Sequence, residues 1–143
     1  MPSFSPPLPP RSTRISVVVA DDVAEIQQLL QHWLQELGYL VTCVSTGQEA
    51  VRVVRTVHVD MVITDVLMPD GDGLELITEV RRLQPSARII AMSGGGAHLR
   101  AEDCLKFATC LGAHGLLTKP FNQQQVIEVV GRQLSPDGTA KRG

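Results

Sequence analysis

The chain has 143 residues, 43% hydrophobic and 20% charged, enough apolar material for one domain with its own core and no need of disulfide or metal staples. Lys and Arg number 13 against 15 Asp and Glu, a formal charge of −2 that excludes the basic excess which grips a nucleic-acid backbone. Aromatic residues, at 3%, are too few for a base-stacking surface.

Residues 1–14 are rich in proline and poor in apolar side chains, the composition of a disordered tail. Pro6, Pro9 and Arg11 fit the PxxPxR spacing bound by SH3 grooves, a match that proline-rich tails produce by chance. A near-continuous apolar run at residues 15–20 predicts a strand covered on both faces. Val23, Ile26, Leu30, Trp33 and Leu37 follow at helical spacing, with Gly38 as the stop. A second strand is expected at 40–45 and a helix at 48–57, with Ala50, Val51, Val54 and Val57 on one side. A third strand at 61–64 ends at Asp65. The turn-rich residues 69–73 open a helix that runs through Leu83 and closes before Pro85. A fourth strand is expected at 88–92, then Gly94, Gly95 and Gly96, then a helix over 99–111 stopped by Gly112. Residues 116–118 form a fifth strand, Val126, Val129, Val130 and Leu134 mark a last helix, and 135–143 is a polar tail expected to fray.

Five strands alternating with five helices predict an α/β domain over residues 15–134, a doubly wound five-stranded parallel sheet with helices on both faces. The cysteines Cys43, Cys104 and Cys110 show no metal-ligand spacing and read as small apolar side chains in a reducing compartment. No apolar run reaches the length of a membrane span and no signal peptide opens the chain, so a cytoplasmic protein without membrane or nucleic-acid partners is expected.

Ligands of such sheets bind beyond the carboxyl ends of the strands. The first strand ends in Asp21 and Asp22, the third in Asp65, the fourth in Ser93 and the fifth in Lys119. Each alone reads as a solvated loop residue or helix cap, but parallel strands bring all five to one edge. Three adjacent carboxylates repel unless a cation joins them, and a hard divalent metal such as Mg²⁺ answers that need. Lys119 offers a fixed positive charge for a carboxylate or a phosphoryl oxygen, and a remaining carboxylate can attack phosphorus to give an aspartyl phosphate.

The segments VVVADD (17–22), VITDVLMPDGDGLE (62–75), IIAMSG (89–94) and LGAHGLLTKPF (111–121) resemble, in that order, the receiver domain of two-component response regulators, in its chemotaxis-regulator-like form. The resemblance covers about residues 14–134 and implies a flavodoxin-like strand order 2-1-3-4-5. It implies Asp65 as the phospho-acceptor, charged by a sensor histidine kinase or a histidine phosphotransfer protein. It further implies Mg²⁺ held by Asp22, Asp65, the backbone carbonyl of Leu67 and, through water, Asp21. Ser93 and Lys119 would each meet a phosphoryl oxygen, and the Lys119–Pro120 bond would be cis.

Two departures stand out. The family carries an aromatic residue or His three positions before the lysine, at its switch position, and Leu116 stands there; it reads as one more apolar strand residue. The segment between Ser93 and Lys119 is longer than the family's usual one, implying a lengthened or displaced fourth helix and an atypical output surface. Asp70 and Asp72 resemble the start of an EF-hand loop, but Leu74 occupies the third ligand position, which favours a turn. A haloacid-dehalogenase-like phosphohydrolase needs a second Asp two positions after Asp65, where Leu67 lies.

The expectation is a stand-alone response regulator, since nine residues after Leu134 leave no room for an output module. It would act on no substrate but itself, and either switch the binding of a downstream protein or relay phosphate to a second histidine. A homodimer is a further arrangement it allows. The alternative is a receiver-fold scaffold that binds partners regardless of phosphorylation.

Overall fold

The computed structural model describes residues 14–66, 73–94, 109 and 112–134. The strands are β1 (Ser16–Ala20), β2 (Leu40–Val44), β3 (Met61–Asp65), β4 (Arg88–Ser93) and β5 (Gly115–Thr118). They form one sheet in the order β2-β1-β3-β4-β5, every neighbouring pair parallel. The helices among the described residues are four, not the five expected: α1 (Ala24–Glu36), α2 (Gly47–Thr56), α3 (Gly73–Leu83) and α4 (Gln123–Gln133). The remaining expected helix, 99–111, lies outside the described residues except for Thr109, which is helical. Residues 1–13, 67–72, 95–108 and 135–143 also lie outside, and with them the SH3-like motif, Leu67, the Asp70–Asp72 turn, Gly95, Gly96 and Cys104; Cys110 lies outside as well.

The three central strands carry the most continuous apolar runs because both their faces are covered. Side chains alternate across the sheet, so Val18, Ala20, Val62, Ile89 and Ala91 pack on α2 and α3 against Ala50, Val54, Leu76, Ile77 and Val80. Val17, Val19, Met61, Ile63, Ile90 and Met92 pack on the opposite face against Leu30 and Leu34 of α1 and Val126 and Val130 of α4. Gly38 ends α1 as expected: at φ +89° it donates to Gln35 O while Tyr39 N donates to Leu34 O, the paired bonds of a left-handed helix stop. Thr46 caps α2 by accepting from Glu49 N at 3.1 Å, which starts the helix at Gly47, one residue before its apolar spacing does. Asn122 and Gln125 form a reciprocal capping box on α4.

The amino ends of the strands are tied by side chains. Asp60 Oδ2 accepts from Ser16 N at 2.8 Å, and the Gln84 amide donates to Val54 O and Val57 O, each at 2.7 Å, while accepting from Val59 N. His114 joins β4 to the start of β5: its backbone N–H donates to Ile89 O, and its ring Nδ1 accepts from Ile89 N at 3.0 Å. Burial, aided by the charges of Arg88 and Arg81, lowers the His114 pKa to about 4, so its ring is the neutral acceptor this bond requires. No helix among the described residues is long and apolar enough to cross a membrane.

Candidate functional site

The register brings the polar strand ends to one level. Ala20 pairs with Thr64, placing Asp21 beside Asp65; Asp65 pairs with Met92, and Ser93 pairs with Thr118 immediately before Lys119. Backbone bonds carry the strands one step past their ends: Val66 N donates to Met92 O and Lys119 N to Ser93 O at 2.8 Å. Residues from four strands thus stand on one carboxyl edge. Asp21, Asp65 and Ser93 are buried and Asp22 faces solvent.

Lys119 organises the edge. Its Nζ lies 2.8 Å from Asp21 Oδ2 and 2.7 Å from Asp65 Oδ2, so one ammonium bridges the ends of β1 and β3. Burial is the largest single influence on this ammonium and disfavours its charge. The hydrogen bonds and charges of Asp21 and Asp65 together outweigh burial and raise its pKa, so it stays charged. The other oxygen of Asp21, Oδ1, accepts from Val23 N at 2.8 Å and closes the turn into α1.

Asp21, Asp22 and Asp65 can each offer an oxygen within 4.8 Å of the others. Three carboxylates against one ammonium leave a negative surplus at an edge open to solvent through Asp22. A hard divalent cation fits that donor set: oxygen ligands, a partial protein shell and access to water. The residues expected at this edge are therefore together, apart from Leu67, which is not among the described residues. The Lys119–Pro120 bond is cis.

Leu116 is a strand residue, as expected: it lies in β5 opposite Ala91, and it is 41% exposed. β5 is an edge strand that alternates buried and exposed positions, so Leu117 turns inward and Leu116 outward. Two adjacent leucines gave no sign of which would face the core. Gln27 has no signal in the sequence, because apolar spacing on α1 says nothing of a polar residue between. Its Nε2 lies 2.7 Å from Asp21 O and 3.0 Å from Val44 O.

The family model described as the response regulator receiver domain matches residues 17–131. The chain is 34% identical over 120 residues to the DNA-binding transcriptional regulator NtrC of Azospirillum brasilense, covering 84% of this chain and 24% of that protein. It is 30% identical over 117 residues to the chemotaxis protein CheY of Thermotoga maritima, covering 81% of this chain and 94% of that one. It thus spans about a quarter of the first relative's length and nearly all of the second's. Among solved structures it resembles a response regulator protein from Burkholderia pseudomallei with a phosphorylated aspartic acid, calcium ion and citrate. The TM-score there is 0.71 at 25% identity, over 80% of this chain and 65% of that one.

Proposed function

The chain belongs to the receiver-domain family of two-component response regulators, and from that premise we propose that it is a switch set by phosphorylation of Asp65. The observation that carries this reading is the Lys119 ammonium, bonded at once to Asp21 and Asp65 beside an exposed Asp22. In phosphoryl transfer, positioning and charge neutralisation do most of the work. An Asp65 oxygen attacks phosphorus as the bond to a donor histidine nitrogen breaks. Lys119 keeps the attacking carboxylate in place and offsets charge on the transferred group. Ser93, buried at the end of β4 and joined to Lys119 through the backbone, supplies a hydroxyl to the product.

Asp22 and Asp65 would hold Mg²⁺, with Asp21 behind them, and the bound ion would supply positive charge to the phosphoryl oxygens. The donor is a sensor histidine kinase or phosphotransfer protein, and the protein turns over no substrate beyond its own phosphorylation and hydrolysis. Covalent charge at the edge biases the packing around β4 and β5, and a downstream protein reads that bias as a shift in population. A second reading draws on the exposed Leu116: with an aliphatic side chain facing solvent where the family carries a ring, partner binding would not depend on phosphorylation.

Intact mass after incubation with Mg²⁺ and acetyl phosphate, beside Asp65→Asn, tests the proposal. A base-labile adduct of phosphate mass on the wild type alone is expected. No adduct from several donors and from a histidine kinase would overturn it and leave the scaffold reading.

A further inference from the structure

Resting on that reading of the acidic edge, we propose that Gln27 is a positioning residue: its side-chain amide fixes the peptide joining Asp21 to Asp22 and so sets where those carboxylates stand. Gln27 lies one turn into α1. Both near acceptors, Asp21 O and Val44 O, are carbonyl oxygens, so the amide must present its nitrogen to them. Its two hydrogens are thereby used, and Ser45 Oγ at 3.2 Å shares one of them. Val44 O also accepts from Asp21 N at 3.2 Å. One side chain thus joins α1, the end of β2 and the loop that carries the acidic pair.

This tie matters because α1 lacks the usual one. Val23 occupies its N-cap position and offers no side-chain bond. The loop is therefore registered against the helix by two contacts, Val23 N to Asp21 Oδ1 and the Gln27 amide to Asp21 O. With Lys119 on Oδ2 and Val44 on the amide nitrogen, every polar atom of the wholly buried Asp21 is held. Asp22 is exposed, and its position comes through the planar peptide whose oxygen Gln27 grips. Gln27 touches neither carboxylate and acts on both through the backbone.

The test uses the full chain. Gln27→Met keeps the length and apolar stem without the donors, Gln27→Glu keeps the shape but turns donor into acceptor, and Gln28→Met changes an exposed neighbour. Two quantities are read under conditions where urea titration shows each variant folded: the Mg²⁺ dissociation constant by calorimetry, and Val23 amide exchange by NMR. Gln27→Met and Gln27→Glu are both expected to weaken Mg²⁺ binding roughly tenfold, as loss of a ligand's supporting partner does, and to speed Val23 exchange, with Gln28→Met unchanged. Wild-type Mg²⁺ affinity and Val23 exchange in Gln27→Met, with only a lower urea midpoint, would make the tie purely structural and overturn the proposal. Tighter Mg²⁺ binding in Gln27→Glu would overturn it too, since added negative charge would then outweigh position. If the wild type binds no Mg²⁺ and Asp22→Asn behaves alike, the reading of the acidic edge fails, and Val23 exchange alone decides whether Gln27 positions the loop.

Discussion

Lys119 stands between two aspartates that would otherwise face each other with like charge. Replacing it by Met strands both carboxylates at a largely buried edge. In EDTA at pH 7 the variant is expected to lose about 3 kcal/mol of stability in urea titrations, as when one partner of a buried pair is removed. Millimolar Mg²⁺ should restore part of the loss, and acceptance of phosphate from acetyl phosphate should slow by roughly 10²–10³. His114 makes a different prediction, set by pH. Its native pKa of about 4 lies below the ordinary 6.5 of an unfolded chain. Above 6.5 both states are neutral and the full contribution is present. As pH falls from 6.5 towards 4 the unfolded chain takes up a proton that the native ring refuses, and stability is lost. The ring is partly open to solvent, which trims the effect to about 1 kcal/mol. Urea midpoints at pH 7 and pH 5 should therefore differ by less in His114→Asn, whose side-chain oxygen still accepts from Ile89 N without titrating.

Between elements, β5 sits tightly against α4 and β4. A Cβ at Gly115 would stand 3.1 Å from Val129 Cγ1 and 3.2 Å from both Gln133 Nε2 and Ile90 Cγ1. Gly115→Ala is accordingly expected to lower stability by about 1–3 kcal/mol through overpacking, measured as a fall in Tm. The elements legible in the sequence are those whose patterning has one physical cause. The apolar runs of β1, β3 and β4 reflect burial on both faces, and Gly38 ends α1 because the chain turns there through positive φ. Boundaries shifted where a tertiary bond or a cap intervened. β4 reaches Ser93 because that residue pairs with Thr118, and α2 starts at Gly47 because Thr46 caps it. The outward turn of Leu116 and the reach of Gln27 were not legible, because one depends on strand parity at a sheet edge and the other on partners from a different strand.

At the scale of the molecule, parallel strands make the site readable: whatever lies at their ends must meet, so Asp21, Asp22, Asp65, Ser93 and Lys119 could be grouped before any distance was known. That grouping carries a thermodynamic prediction. A cation bound by the native edge and not by the unfolded chain stabilises the whole domain, by about 2.7 kcal/mol at a hundred times its dissociation constant. MgCl₂ should raise Tm well beyond NaCl of matched ionic strength, and Asp22→Asn should abolish the difference. The span of the Lys119 bridge has its own consequence during protein synthesis. Lys119 lies 98 positions from Asp21 and 54 from Asp65. A nascent chain emerging from the ribosome therefore displays both aspartates well before their counter-charge exists. On the proposed function, until β5 has been made and laid against β4 no phosphate would be accepted with Lys119 in attendance, and a half-made copy would carry no signal.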